Sequence, residues 1–314
     1  MIMSLHETPT RVSASRDCPV VDGRRQIQHI TSREADVGGL PIHRAIPTRE
    51  RRTIGAWCFL DHAGPSILRE SQGMKVGPHP HTSLQTFTWI LEGEVHHRDS
   101  LGSDQVIRPG EVNLMTAGHG ISHTEVSLDN SPRLHAAQLW IALPHAHRHI
   151  EPRFDHYAEL PQWTRDGADF TLLIGEFEGR QAATLSFSPL VGIDVVGSDS
   201  RITLPLREDF EYGLLVLEGS ASLDGDPFIT DELGYLGMGR QQLELQLATD
   251  SRVLLIGGQP LKDNILMWWN FVGHSREEII DAQRDWEAAS ERFGSVPGWQ
   301  GARLEAPPIP WQKS

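Results

Sequence analysis

Two short segments of the chain carry metal-binding side chains that are two residues apart. GPHPHTSLQTFTW contains His79 and His81, and TAGHGISHTEV contains His123 and Glu125. In a β-strand, residues i and i+2 point to the same face, so each segment can direct two ligands toward one point. If the two strands are neighbours in a barrel, the four side chains meet inside it. The spacing therefore predicts one pocket that holds one metal ion.

Three neutral imidazoles and one carboxylate form a ligand set that suits borderline divalent metals such as iron, manganese, nickel, copper and zinc. An octahedral site with four protein ligands keeps two open positions, which allow substrate and dioxygen to bind. The alternative for His79 and His81 is a surface turn beside two prolines, and the alternative for His123 and Glu125 is a solvated edge strand. Spacing alone leaves these alternatives open.

Other histidines show how little the spacing decides by itself. The chain has 16 histidines, and PHAHRHIEP repeats the same spacing at His145, His147 and His149. Prolines on both sides of this run favour an exposed loop over a metal site. His96 and His97 are adjacent, so on a strand they face opposite sides, and we interpret both as structural residues.

Short strands separated by turns must position these residues. Runs rich in Val, Ile, Leu, Phe, Thr and Trp recur at 86–95, 111–118, 134–144, 169–177, 210–225 and 251–260. Such runs indicate an all-β fold, either a barrel or a sandwich. Segments 86–100 and 212–226 also share an apolar strand, then Leu-Glu-Gly, then a second strand. Two copies of one β-barrel would explain this echo, and a generic hairpin turn would explain it equally well.

One α-helix is predicted, over residues 275–294. Ser275 with Glu278 three residues later forms a capping box, and Gly294 is a typical C-cap. Apolar side chains recur at steps of three and four residues, at Ile279, Ala282, Trp286, Ala289 and Phe293. This stripe predicts a helix that packs along one face.

Length, charge and cysteine content limit the class of protein. A chain of 314 residues is long enough for two domains. Its net charge of −14 repels phosphate backbones, which argues against direct binding of nucleic acid. Cys18 and Cys58 are the only cysteines, which suits a reducing compartment. Because no secretory signal or membrane-spanning run is visible, we expect a cytoplasmic protein without membrane contact.

The histidine segments resemble those of a known family. HPHTSLQTFTWILEGEVHHRDSLGS, followed by IRPGEVNLMTAGHGISHTE, closely resembles the pirin family of the cupin superfamily. The resemblance extends upstream to FLDHAGP (59–65) and downstream to LWIALP (139–144), and to GGQPL, WWNFV and the helix (257–280). It therefore covers most of the chain.

This resemblance implies a bicupin: two tandem jelly-roll-like cupin β-barrels packed face to face, with the metal only in the N-terminal barrel. We expect a flexible leader (1–24), a metal-binding barrel (25–145), a metal-free barrel (146–272) and a C-terminal helix with a Pro-rich tail (273–314). The family's iron ligands match His79, His81, His123 and Glu125 in all four residue types. Iron(II) is accordingly the metal we expect.

The resemblance also implies two hypotheses about function. Some pirins are similar to quercetin 2,3-dioxygenases, in which case a small aromatic flavonol is the substrate and Glu125 accepts its hydroxyl proton. Other pirins are non-enzymatic, redox-sensing regulators, in which case the partner is a transcription factor or a metabolic enzyme. The sequence departs from the family pattern at Gln85, at Thr82 with Ser83, and at His119. We expect these differences to lie beside the metal and to affect the pocket.

Overall fold

The computed structural model describes residues 18–21, 24–67, 73–128 and 133–311. The predicted leader, 1–24, lies almost entirely outside the described residues. The strands of the first half of the chain are β1 (Val20–Val21), β2 (Arg24–Arg25), β3 (Gln28–Thr31), β4 (Arg33–Val37), β5 (Leu40–Ile46), β6 (Trp57–Ile67), β7 (Lys75–His81), β8 (Leu84–Glu92), β9 (Val95–Asp99), β10 (Asp104–Ile107), β11 (Val112–Thr116), β12 (Ile121–Ser127), β13 (Arg133–Ala142) and β14 (Arg153–Tyr157).

The second half of the chain repeats this pattern. Its elements are β15 (Gln162–Arg165), β16 (Ala168–Ile174), β17 (Glu176–Phe177), β18 (Arg180–Gln181), β19 (Leu190–Gly197), β20 (Ser200–Pro205), β21 (Glu211–Glu218), β22 (Ser220–Leu223), β23 (Asp226–Ile229), β24 (Glu232–Gly237), β25 (Gln242–Leu247), β26 (Ser251–Gly258), β27 (Leu266–Trp268), β28 (Phe271–Gly273) and α1 (Arg276–Glu287).

Each half forms a barrel from one four-stranded and one seven-stranded sheet. In the first barrel the orders are β10-β9-β12-β7 and β14-β11-β8-β13-β6-β5-β4. In the second they are β23-β22-β25-β20 and β3-β24-β21-β26-β19-β16-β15. The two sets of sheets have the same order, strand for strand. This confirms the predicted all-β fold with two barrels, and the echo at β8–β9 and β21–β22 is a true repeat.

The barrels exchange their outermost strands. β3, which precedes the first barrel in the chain, pairs with β24 of the second barrel. β14, which follows the first barrel and lies beyond the predicted boundary at residue 145, pairs with β11 of the first. Both strands occupy the same place at one end of their seven-stranded sheet. The sheets therefore do not divide at the domain boundaries that we expected from the sequence.

The outer faces of the two seven-stranded sheets pack against each other. One core cluster joins Trp57, Phe87 and Leu139 of the first barrel to Leu215 and Leu254 of the second. The indole Nε1 of Trp57 donates to the Gly257 carbonyl at 3.1 Å. This shared apolar layer confirms that the barrels are packed face to face.

A buried pair of histidines also joins the two barrels. His62 Nε2 lies 2.7 Å from His135 Nε2, and both residues belong to the first barrel. On the side of the second barrel, His62 Nδ1 contacts Asp231 at 2.6 Å and His135 Nδ1 contacts Glu218 at 3.0 Å. His62, from the FLDHAGP segment, is thus part of this interface.

The predicted helix is present, but it is shorter than 275–294. The Ser275 hydroxyl accepts a hydrogen bond from Glu278 N, as the capping box predicts. Helix α1 then ends at Glu287, because Ala289 adopts a left-handed φ of +52°. Phe293 still packs against Trp286, with ring centroids 5.7 Å apart. No helix in the described part of the chain is long and apolar enough to cross a bilayer.

Candidate metal centre

Two neighbouring strands of the first four-stranded sheet, β7 and β12, place the predicted ligands on one face. β7 and β12 pair so that His79 lies opposite His123. β12 also pairs with β9, which sets Glu125 opposite His97. Since side chains alternate along a strand, the i and i+2 partners on β7 and β12 point to the same side. The sheet therefore brings the predicted residues together inside the first barrel.

The four predicted ligands do not form one tight cluster. The ligating atoms of His79, His81 and His123 all lie within 4.8 Å of one another. The carboxylate of Glu125 belongs instead to a second group, within 4.8 Å of His97 and His123. The β7–β12 ladder has a bulge between His123 and Glu125, where β7 contains one extra residue. Glu125 is therefore displaced from the regular pairing with β7.

The ring nitrogens of two of the three histidines are oriented by hydrogen bonds to backbone carbonyls. His79 Nδ1 lies 2.9 Å from the Gly77 carbonyl, and His81 Nδ1 lies 2.9 Å from the Asn270 carbonyl. A carbonyl can only accept, so each Nδ1 carries the proton and each Nε2 keeps a free lone pair. A metal-binding imidazole needs this tautomer.

The donor atoms fit a divalent metal. His81 Nε2 and His123 Nε2 are 3.1 Å apart. Two nitrogens that each lie about 2.1 Å from one ion, at right angles, are about 3.0 Å apart. Burial lowers the pKa of His79 to about 4 and the pKa values of His81 and His123 well below the usual range. The imidazoles are thus neutral near pH 7, as ligation requires.

His97 and Asp99 extend the site behind His123. His97 Nδ1 lies 3.3 Å from His123 Nδ1, and His97 Nε2 lies 3.1 Å from the Asp99 carboxylate. Because Asp99 accepts from Nε2, the Nδ1 of His97 is left to accept from His123 Nδ1–H. With the proton on His123 Nδ1, His123 Nε2 is unprotonated, as are the Nε2 atoms of His79 and His81. Burial alone would raise the pKa of Asp99, but hydrogen bonds from His97 and Ser103 outweigh it and lower the pKa.

The sequence interpretation missed His97. It treated His96 and His97 alike, although only one of two adjacent strand residues faces the interior. His96 points outward and contacts Asp104 at 2.5 Å, whereas His97 is 3% exposed. The useful signal was His97-x-Asp99, which has the same i, i+2 spacing as His79-x-His81.

Glu125 lies at the edge of the cluster in an apolar setting. Burial raises its pKa, and the nearby His97 partly offsets that effect. A carboxylate whose pKa is raised toward neutrality accepts a proton more readily. Glu125 therefore has the properties of a base as well as those of a ligand.

A cavity of about 220 Å³ opens beside these residues, between the two sheets of the first barrel. His79, His81, His123 and Glu125 all line it. Much of the remaining lining is apolar: Leu40, Ile42, Phe59, Ala63, Val76, Ile90, Leu134, Ala136, Trp140 and Trp269. The Phe59 and Trp140 rings are stacked with their centroids 4.1 Å apart, and Trp140 also packs edge-on against His81. The site thus combines open space, an aromatic wall and free ligand atoms.

The departures from the family pattern lie elsewhere, contrary to our expectation. The amide of Gln85 is fully buried on the opposite face of β8 and donates to Thr116. Thr82 donates to the Val272 carbonyl, and Ser83 donates to the Arg148 carbonyl. The cavity lining in the described part of the chain includes none of them, nor His119.

The run of histidines at 145–149 forms a short 3-10 turn after β13. Its members are exposed or half-buried, and none belongs to a candidate metal cluster among the described residues. Both cysteines, Cys18 and Cys58, are buried free thiols. Burial raises the pKa of Cys58 to about 12, which makes it a poor nucleophile.

Comparison with known proteins gives consistent matches. The Pirin family model matches residues 39–141, and the model of the pirin C-terminal cupin domain matches residues 195–294. A Pseudomonas aeruginosa protein, named as a proposed quercetin 2,3-dioxygenase, is 54% identical over 99% of each chain. A pirin-like protein of Caulobacter vibrioides is 34% identical over 82% of this chain and 91% of its own.

A solved structure agrees with these matches. The crystal structure of a quercetin 2,3-dioxygenase from Acinetobacter baumannii superposes with a TM-score of 0.89. It is 48% identical in sequence and covers 92% of this chain and 97% of its own.

Proposed function

The chain belongs to the pirin family, with two cupin domains, and on that premise we propose that it is a metal-dependent dioxygenase of flavonol-type aromatic compounds. The observation that carries the proposal is the open cavity beside three Nε2 atoms with free lone pairs. A cavity filled by side chains would have favoured the regulatory alternative. The names of the relatives from Pseudomonas and Acinetobacter support the same substrate class.

His79, His81 and His123 would hold the ion, with Glu125 as the fourth ligand or as a base beside it. Three imidazoles and a carboxylate fit iron(II), which we propose as the metal, and manganese, nickel, copper and zinc remain alternatives. When bound, the ion polarises coordinated oxygen atoms and brings substrate and dioxygen together. The ion's identity is best determined by metal analysis of the purified protein.

The protein residues supply orientation and proton transfer. The stacked Phe59 and Trp140 rings line the cavity and give an aromatic surface that a planar ring can contact. A flavonol hydroxyl must lose its proton before ring cleavage, and we propose that the Glu125 carboxylate accepts it. The raised pKa of Glu125 favours this acceptance. The apolar lining excludes water from the reacting atoms.

The test is turnover by the iron-loaded protein. Iron is added without oxygen, then quercetin and air are supplied, and the flavonol absorbance is followed. The wild type should consume quercetin, whereas His123→Ala should not, because it lacks one of the three clustered nitrogens. Stable flavonol absorbance with the iron-loaded wild type would overturn the proposed activity.

A further inference from the structure

A row of polar residues crosses the wall of the cavity on the seven-stranded sheet. Thr88 on β8 is opposite Gln138 on β13, which is opposite Asp61 on β6. Asp61 is in turn opposite Arg44 on β5. The four residues thus lie at one level across four neighbouring strands, and the metal ligands lie on the other sheet.

This row is unusual for its position in the fold. The neighbouring cavity-lining residues on β6 and β13 are apolar, namely Phe59, Ala63, Ala136 and Trp140. In the second barrel, the strands in the same order carry a buried row made of Leu214, Leu255, Ile193 and Leu172. Burying polar side chains costs free energy unless partners are supplied, so this exception in an apolar wall needs a reason.

The Asp61 carboxylate can accept hydrogen bonds from a ligand, and Arg44 balances its negative charge. Arg44 donates to both of its carboxylate oxygens, each at 2.6 Å. Asp61 is 4% exposed and Arg44 is 2% exposed, and the guanidinium also lies 4.4 Å above the Phe59 ring. A carboxylate accepts about four hydrogen bonds, so Asp61 keeps lone pairs for a ligand in the cavity that it lines.

Gln138 offers a donor beside that acceptor. Its Oε1 accepts from the Thr88 hydroxyl at 2.8 Å, and in this arrangement Nε2 is the amide atom directed away from Thr88. Gln138 lines the cavity, and no hydrogen bond from its Nε2 to any described residue is present. Side chains directly opposite on paired strands have Cβ atoms about 5 Å apart. One oxygen atom of a ligand can therefore reach both Gln138 and Asp61.

We propose that Asp61 and Gln138 bind a second, remote hydroxyl group of a phenolic substrate. The phenol hydroxyl donates a hydrogen bond to the Asp61 carboxylate and accepts a hydrogen bond from Gln138 Nε2. The ring that carries the hydroxyl packs along Phe59 and Trp140, while the part of the substrate that binds metal faces the histidines. This inference rests on the proposed function, because it concerns the same cavity, and it adds polyhydroxylated flavonols as the preferred class.

The test compares two ligands with the same metal-binding end. 3-Hydroxyflavone and kaempferol share the hydroxyl–ketone group, but only kaempferol carries further ring hydroxyls. Their dissociation constants are measured with the full-length protein loaded with Zn²⁺, which has no redox chemistry and so permits no turnover. We expect the wild type to bind kaempferol at least about tenfold more tightly, because a site built to bind a hydroxyl rejects analogues without it.

Gln138→Leu should reduce this preference to about twofold or less and leave the affinity for 3-hydroxyflavone within about twofold of wild type. The matched control is Gln246→Leu, at a half-buried strand position of the second barrel, which should keep the full preference. A measurement without any variant repeats the comparison with kaempferol whose remote hydroxyls are methylated. Since methylation removes the donated proton, the wild type should lose its preference for that ligand.

The proposal is overturned if the wild type binds both flavonols equally, or if Gln138→Leu and methylation both leave the preference intact. It is also overturned if neither flavonol binds. A retained preference without consumption of quercetin by the iron-loaded protein would support the hydroxyl site and contradict the dioxygenase activity instead.

Discussion

The two barrels have the same strand order, but the inner faces of their four-stranded sheets differ at the positions of the metal-site residues. In the first barrel, β7 and β12 pair His79 with His123. In the second, the corresponding strands β20 and β25 pair Ile202 with Leu245, and the inward side chains of that pair are Ile or Leu except for Ser200 at the start of β20. One backbone arrangement thus supports a polar pocket in one half of the molecule and a hydrophobic core in the other.

The two barrels should differ in how they contribute to stability, because one is filled by side chains and the other contains a polar cavity. Branched aliphatic side chains from facing sheets interdigitate and fill the second barrel. In the first barrel, the imidazoles and the polar row face each other across open space, and their burial must be offset by hydrogen bonds or by a bound ion. We therefore expect the second barrel to contribute stability and the first to gain stability when metal binds.

The largest effect should follow from making the first barrel resemble the second at one position. His123→Leu removes one of three clustered ligand atoms, so one equivalent of bound metal should be lost. A ligand at about 1,000 times its Kd stabilises the folded state by about 4 kcal/mol, and this gain should disappear. Metal analysis and urea unfolding with and without metal measure both effects. Retention of one equivalent by the variant would contradict the assignment of the site.

Truncation of a core side chain in the second barrel should have the opposite effect: it should lower stability and leave metal binding unchanged. Leu245 is fully buried, and Leu245→Ala should lower the free energy of unfolding by about 2–5 kcal/mol. The amount of metal bound by the folded variant should not change, because the substitution leaves the histidines in place. Urea unfolding and metal analysis of the same preparation test this. Loss of metal at full folding would show that the second barrel shapes the pocket.

The pH dependence of the metal-free protein should also distinguish the barrels. Burial lowers the pKa of His79 from 6.5 to about 4. Between these values the unfolded chain binds a proton that the folded chain does not, so stability falls as the pH drops from about 6.5 to about 4. His79 accounts for roughly 3 kcal/mol of this loss in the free energy of unfolding, since each pKa unit is worth about 1.4 kcal/mol.

Urea unfolding at pH 7 and pH 4.5 tests this share. His79→Leu should lose less stability on acidification than the wild type, since the other buried histidines are present in both proteins. Ile202→Val, on the corresponding strand of the second barrel, should keep the wild-type dependence. Equal losses in the wild type and His79→Leu would show that His79 is not held neutral by burial.

The smallest effect concerns His97, which orients a ligand without belonging to the cluster of three. His97→Gln should weaken metal binding about 10- to 100-fold, because partners of ligating histidines have effects of this size. The control is His96→Gln, one residue away on the outer face of β9, which should bind metal as the wild type does. Competition with a chelator measures both affinities. Equal affinities for the two variants would remove His97 from the site.

The sequence was sufficient for the fold and for the clustering of His79, His81 and His123. Alternation along a strand makes His79-x-His81 a local signal, and family resemblance added the pairing of β7 with β12. The polar row was not predictable, because Thr88, Gln138, Asp61 and Arg44 are far apart in the chain. Only the register of four strands brings them to one level. The position of Glu125 likewise depends on the register of β12 with β9, which sets it opposite His97, and on a bulge against β7 that no local pattern indicates.

The exchange of β3 and β14 has a consequence for how the chain is made. β3 pairs with β24, which the ribosome completes about 200 residues later, or roughly 10–40 s later at usual rates of synthesis. During that interval the first barrel can assemble, because β14 follows it closely, but β3 has no sheet to join. Strand β3 therefore stays unpaired until β24 has been synthesised. A translation product that stops before β24 would expose this unpaired strand, which promotes aggregation.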